Sequence, residues 1–140
     1  MTLYLDTSTL VKLYLSEPGS LDVMDMLDGA DAVATCVVTY AEARAALARR
    51  RRDKTLSTQE FARSRDAFEA DWAALVTIDV TEPLVRRAGG LAEQYGLRAY
   101  DGIQLAAYEQ VALDAGVDHT MFSSADAALT RAAKALARTL

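Results

Sequence analysis

The 140-residue chain has one cysteine, one histidine, two prolines and no asparagine, and each scarcity excludes something. A lone Cys36 cannot form an internal disulfide framework, and with a lone His119 it cannot build a zinc site from Cys and His ligands. Any Ser-His-Asp or Cys-His arrangement would have to use His119, which reads instead as a residue at a strand edge. Few prolines and many alanines favour helices over an all-β sandwich. No uncharged stretch approaches the roughly 18 residues of a membrane-spanning helix. The N-terminus, Met1-Thr2-Leu3-Tyr4-Leu5-Asp6, has no basic stretch of the kind that opens a secretory signal. The expectation is a soluble, cytoplasmic protein. At 51% hydrophobic and 25% charged residues the composition is that of an ordinary globular chain, and the length suits a single domain spanning 1–140.

The net charge of −5 argues at first against a polyanionic partner, but the charge is unevenly placed. Residues 1–31 carry six acids, Asp6, Glu17, Asp22, Asp25, Asp28 and Asp31, against Lys12 alone. Residues 44–65 carry eight of the 15 basic residues, including Arg49, Arg50, Arg51 and Arg52 in one run. A basic patch on an acidic protein still attracts phosphate locally. The same four arginines also suit a helix C-terminus, where they complement the dipole.

Short apolar runs at Leu3–Leu5, Ala32–Val38, Leu75–Ile78 and Thr120–Phe122 have the length and β-branched or aromatic content of buried strands. Helical patterns separate them. The first carries Leu10, Leu13 and Tyr14 and stops at Glu17-Pro18-Gly19. The second shows an apolar stripe at Leu21, Met24 and Leu27. Thr39, Ser57, Glu82-Pro83, Asp101 and Ser124 open the others. No Pro/Gly/Ser-rich linker and no repeat interrupts the order. Strands alternating with helices predict an α/β fold: a three-layer α/β/α sandwich around a parallel sheet of four to five strands.

In such a sheet, ligands sit beyond the carboxyl ends of the strands. Four acids occupy those turns: Asp6 after the first strand, Glu42 in the first turn after the second, Asp101 at the start of a helix, and Asp126 after the last strand. Each has a structural alternative. Thr39-Tyr40-Ala41-Glu42 reads as a capping box, Asp101 as an N-cap with Gln104 in the partner position, and Asp6 and Asp126 as helix-start residues. Convergence would change the chemistry. Two carboxylates about 4 Å apart repel by roughly 4 kcal/mol at an effective dielectric near 20. Three in mutual contact would cost on the order of 10 kcal/mol, comparable with the whole stability of a domain. Such a cluster takes up protons or a cation, and oxygen ligands without His or Cys select Mg²⁺ or Mn²⁺. A carboxylate pocket holding those ions suits phosphoryl transfer.

Four blocks carry a family resemblance. Leu5-Asp6-Thr7-Ser8-Thr9-Leu10-Val11-Lys12-Leu13-Tyr14 followed by Glu17, then Thr39-Tyr40-Ala41-Glu42-Ala43-Arg44, Leu97-Arg98-Ala99-Tyr100-Asp101-Gly102-Ile103-Gln104-Leu105-Ala106, and Phe122-Ser123-Ser124-Ala125-Asp126 resemble, in order, the blocks of PIN-domain proteins, specifically VapC-type toxins of type II toxin–antitoxin systems. The resemblance implies a PIN-like fold and a metal-dependent endoribonuclease toxin. It implies that Asp6, Glu42 and Asp101 bind Mg²⁺ or Mn²⁺, that Asp126 contributes, and that Glu42 ligates or orients and deprotonates the attacking water. Ser8 is expected to help order the metal shell, and Ser124 supplies a hydroxyl where Thr is commoner. Tyr100 stands where Ala is frequent, which bears on substrate access. The family also implies a cognate antitoxin that obstructs the acidic groove, and a homodimer or toxin–antitoxin hetero-oligomer. Leu13, Tyr14, Phe61, Phe68 and Trp72 are the contact residues considered, with plain core packing as the alternative for each. Arg49, Arg50, Arg51 and Arg52, with Arg63 and Arg65, are read as RNA-guiding residues. Two other readings compete: a PIN-like module that acts only by binding proteins, and a receiver-like phosphoacceptor. The latter would want a lysine after the last strand, where Ser123-Ser124-Ala125-Asp126 stands.

Overall fold

The computed structural model describes residues 1–140. Four short strands, β1 (Thr2–Leu5), β2 (Ala32–Cys36), β3 (Val76–Ile78) and β4 (Thr120–Ser123), form one parallel sheet in the order β3-β2-β1-β4. Seven helices surround it: α1 (Thr7–Leu10), α2 (Ser20–Asp28), α3 (Thr39–Arg52), α4 (Thr58–Trp72), α5 (Glu82–Tyr95), α6 (Ala99–Ala115) and α7 (Ala127–Ala137). None of them is long and apolar enough to cross a membrane.

β1 shows why the sheet is covered on both faces. Successive strand side chains point to opposite sides, and Leu3, Tyr4 and Leu5 are all fully buried. Leu3 and Leu5 join Leu10, Val11, Leu15, Val23, Ala43, Leu47 and Phe68 in the core under α1 to α4. Tyr4 joins the core under α5, α6 and α7, stacked on Phe122 at 5.7 Å between ring centroids, with Tyr108 edge-on to both. That gives the expected three layers.

β1 is also where the strand order reverses. The chain runs outward from β1 to β2 and β3, then returns to place β4 on the other side of β1. The crevice beyond the carboxyl ends of β1 and β4 is thus the switch point at which α/β sheets bind ligands.

Local structure departs from the sequence expectations in several places. The first helix has only four residues and continues as a 3-10 turn over Val11–Leu13; Thr7, Thr9 and Val11 are β-branched, and the Thr9 hydroxyl is drawn to the Ser123 carbonyl at 2.8 Å. On α2 the predicted stripe does not face the core. Leu21 is 76% exposed and Met24 44%, while Val23 is the buried residue. Ser57 opens α4, as expected, and does so in a full capping box with Glu60. Thr39 does not cap α3: Val38 holds that position, and Glu42 makes no bond back to the Thr39 amide. Asp101 does not cap α6, which starts two residues earlier behind Arg98.

Candidate functional site

Asp6 leaves β1 into the switch-point crevice and is 5% exposed. Its Oδ1 accepts hydrogen bonds from the Thr9 amide (3.1 Å), the Thr9 hydroxyl (3.1 Å) and the Ser8 hydroxyl (2.6 Å). Its Oδ2 accepts from the Ser124 hydroxyl at 2.5 Å. The Asp6 amide in turn donates to the Ser123 carbonyl at 3.1 Å, so the turns after β1 and β4 are stitched together. Asp6 is therefore a helix cap and a crevice residue at once, and the two readings of it do not compete. Ser8 and Ser124 lie 3.5 Å apart across the same carboxylate.

Glu42 reaches the crevice from the first turn of α3. Its Oε1 accepts from the Thr7 hydroxyl at 2.7 Å and from Gln104 Nε2 at 3.3 Å. Behind it runs a buried polar network that sequence reasoning missed. Gln104 Nε2 also donates to the Thr39 hydroxyl (2.9 Å), Gln104 Oε1 accepts from the Tyr4 hydroxyl (2.7 Å), and the Thr39 and Thr35 hydroxyls bond each other (2.9 Å), with Thr35 donating to the Leu5 carbonyl (2.7 Å). Every buried side-chain polar atom in the protein has a partner. Burial pushes the Tyr4 phenol well above its ordinary range, and the nearby charges of Cys36, Asp6 and Glu42 add to the effect. The signal for Gln104 was present: it is the lone amide in the apolar run from Ile103 to Tyr108. Nothing local says whether such a residue faces core or solvent.

Asp101 stands in the first turn of α6, half-buried. Desolvation pushes its carboxyl above the usual range; the charges of Asp126, Asp6 and Glu42 push the same way, and Arg98 opposes them. Asp101 therefore feels the charge of the other three acids. Asp126 is exposed and caps α7, accepting from the Leu129 amide at 2.8 Å; it is the cap itself, rather than a residue inside a helix opened by Ser123 or Ser124. Tyr100, beside Asp101, is 58% exposed.

Bare carboxylates in mutual contact, for which repulsion would be prohibitive, are not the arrangement found. No three of the His, Cys, Asp and Glu side chains form a set that would surround one ion. Hydroxyls and two N–H groups, the Thr9 amide and the Gln104 side chain, stabilise Asp6 and Glu42, so repulsion by itself does not demand a cation.

A cleft of about 450 Å³ opens beside Glu42, lined by Thr7, Ala45, Ala46, Arg49, Arg50 and Arg52. The four consecutive arginines are thereby divided. Arg50 is tied to Glu17, whose other oxygen takes Lys12 at 3.0 Å. Arg51 turns away, its guanidinium over the Phe61 ring at 5.8 Å, and Arg65 covers the same ring at 5.5 Å. Arg49 and Arg52 carry no ion pair. Arg63 lines a separate hollow with Arg50 and Glu60.

A second groove, about 460 Å³ and mainly apolar, is lined by Leu13, Tyr14, Met24, Leu27, Val33 and Leu75, with Asp31 and Asp71 at its edge. Met24 and Leu27 of the α2 stripe contribute to its lining. Of the five contact residues considered from sequence, Leu13 and Tyr14 lie here, while Phe68 is fully buried among Tyr14, Tyr40 and Trp72.

Comparison with known proteins agrees with this architecture. The family model of the PIN domain matches residues 3–135. Ribonuclease VapC45 of Mycobacterium tuberculosis (strain CDC 1551 / Oshkosh) and Ribonuclease VapC49 of Mycobacterium tuberculosis (strain ATCC 25618 / H37Rv) are each 37% identical to this chain over 103 residues, 74% of it and 72% of their own length. Among solved structures, PAE2754 from Pyrobaculum aerophilum superposes with a TM-score of 0.62 at 18% identity, covering 99% of this chain and 88% of that one. FitAcB from Neisseria gonorrhoeae gives 0.64 at 18% identity, covering 94% and 93%. The two structures share the fold, and the family match extends over nearly the whole chain. The protein belongs to the PIN-domain family, as a VapC-type member.

Proposed function

We propose that this protein is a metal-dependent endoribonuclease, the toxin of a toxin–antitoxin pair, working as one domain in the cytoplasm. The observation that carries the reading is the buried Asp6 carboxylate at the switch point of the sheet, bonded by Ser8 and Ser124, with Glu42 held by Thr7 nearby and the Asp101 carboxyl raised by burial and by the other acids. A carboxyl pushed toward its neutral form by burial and by neighbouring acids, at the switch point of a parallel sheet, is a functional candidate. Relatives named ribonucleases at 37% identity support the choice of RNA.

The donor set is all oxygen, which fits Mg²⁺ or Mn²⁺. Mg²⁺ keeps several waters and takes only one or two carboxylates directly, so acids that do not close around a single point still suit it. Asp6, Asp101 and Glu42 would hold the ion, directly or through water, with Asp126 at the rim. Bound there, the ion would polarise the phosphate and lower the pKa of a water. Ser8 and Ser124 fix the Asp6 carboxylate, and Thr7 fixes Glu42, which either joins the ligands or orients the attacking water and accepts its proton. Arg49 and Arg52, open to the cleft beside Glu42, would hold the RNA backbone through its phosphates; Arg50 and Arg51 have other partners here and contribute less.

The partner is a cognate antitoxin, in a toxin–antitoxin hetero-oligomer or alongside a homodimer. The apolar groove edged by Asp31 and Asp71 suits an amphipathic segment carrying basic residues.

Incubation of the purified protein with total RNA, in Mg²⁺, Mn²⁺ or EDTA, beside an Asp6→Asn variant, tests the reading. Discrete fragments that need the metal and vanish in the variant are expected. Intact RNA under every condition, from folded protein, would leave the binding-module reading in its place.

A further inference from the structure

We propose that Gln104 is a positioning residue: its buried amide, fixed from behind by the Tyr4 hydroxyl, sets the direction of the Glu42 carboxylate. The inference rests on the role given to Glu42 above, but its geometric half can be tested without any cleavage assay.

Gln104 is 3% exposed, and no water route is needed to explain its bonds, since protein groups satisfy it at both ends. The orientation of the amide follows from chemistry. A glutamate carboxylate only accepts, so the NH₂ must face Glu42 and Thr39, and the carbonyl must face the remaining donor, Tyr4. Tyr4 is clamped by Phe122 and Tyr108, so its hydroxyl is a rigid reference point on the central strand. Through Gln104 that point is carried 100 residues along the chain to α6 and from there to α3.

The consequence at Glu42 is directional. Thr7 and Gln104 both donate to Oε1, and Oε2 accepts nothing from the protein. The carboxylate is thus held by one oxygen while the other is kept for whatever enters the cleft it lines. Gln104 does this without charge. A lysine or arginine in its place would neutralise Glu42, and an apolar residue would leave it held by Thr7 alone.

Gln104→Met keeps the length of the side chain and removes both amide groups. Its kcat is expected to fall by about ten- to a hundredfold, the range of a small misplacement of a reacting group, with KM for RNA within about twofold. Tyr4→Phe, which keeps the ring packing and removes only the anchoring hydroxyl, is expected to lower kcat by a smaller factor. The double variant should be no slower than Gln104→Met, because both changes act through one carboxylate. A role in stability alone would lower the Tm of each variant, leave kcat unmoved, and add in the double variant. A crystal structure of Gln104→Met supplies the readout free of activity: Glu42 should turn about its remaining bond to Thr7 or occupy several rotamers. Glu42 unmoved in that structure would overturn the proposal. If the wild type cuts no RNA, the nuclease reading fails, and the crystallographic result still decides the positioning. If Gln104→Met does not fold, the kcat and structure of Tyr4→Phe decide it in the same way.

Discussion

Alanine placed at Gly102 is expected to destabilise the protein and slow cleavage, whereas alanine at Gly89 or Gly90 is expected to stabilise it. All three glycines lie in helices with negative φ, so all three changes gain about 0.5–1 kcal/mol of helix propensity. The surroundings differ. A Cβ at Gly102 would stand 2.7 Å from the Ala88 carbonyl oxygen and 3.3 Å from the Ala92 Cβ, both on α5. A Cβ at Gly89 or Gly90 would meet nothing within 4 Å. The obstruction at Gly102 is backbone, which cannot rotate aside, so α5 and α6 must separate. Overpacking of this kind costs about 1–3 kcal/mol. Set against the propensity gain, a net loss of about 1 kcal/mol is expected, and for a chain of this size that lowers Tm by about 4 °C. Asp101 precedes Gly102 on α6, so the same shift moves its carboxylate relative to Asp6 and slows cleavage further than the stability loss explains. Thermal melts of the three variants, with cleavage rates measured well below Tm, check this. Gly102→Ala melting above the wild type would refute the close crossing of α5 and α6.

Asp101→Asn is expected to raise Tm at neutral pH while abolishing cleavage, because the wild-type carboxylate is charged against its surroundings. The sign follows from the raised pKa: the folded state holds the Asp101 proton more tightly than the unfolded one, so wild-type stability falls as pH rises from the ordinary value of 3.8 through the folded value. Melts across that window should show the variant gaining on the wild type, and a constant difference would count against the coupling. Ser124→Ala removes a hydrogen bond to a buried carboxylate and should cost about 1.5–3 kcal/mol in a urea titration. Arg49→Ala with Arg52→Ala should shallow the salt dependence of RNA binding by about 0.7 for each phosphate no longer neutralised, while Arg51→Ala leaves the slope alone; equal effects from all three would show that the cleft is not the path of the strand. Saturating Mg²⁺ or Mn²⁺, at about 100 times its dissociation constant, should stabilise the wild type by about 2.7 kcal/mol, with no such gain in Asp6→Asn.

Much of the architecture was legible along the chain because it depends on local pattern. Leu3-Tyr4-Leu5 announces a doubly covered strand by being apolar at every position, and Ser57 announces a helix start, a local signal because the capping box it forms with Glu60 closes within four residues. The acids Asp6, Glu42, Asp101 and Asp126 were legible as residues at strand-to-helix turns. What they do there was not. Thr39 and Glu42 have capping-box spacing, yet tertiary partners, Thr7 and Gln104, claim the carboxylate instead. The stripe at Leu21, Met24 and Leu27 has helical spacing, but periodicity says only that a face is apolar, and on a short helix the core took Val23. The run Arg49 to Arg52 is uniform in sequence and divided in space, because a helix turns each neighbour through about 100°. Its members thus meet a cleft, Glu17 or the Phe61 ring according to position. Identity, order and the spacing of turns reside in the chain itself. Which hydroxyl, amide or guanidinium meets which carboxylate was decided only when β4 closed beside β1 and α6 crossed behind them, since those partners lie up to 118 residues apart and no local rule spans that distance.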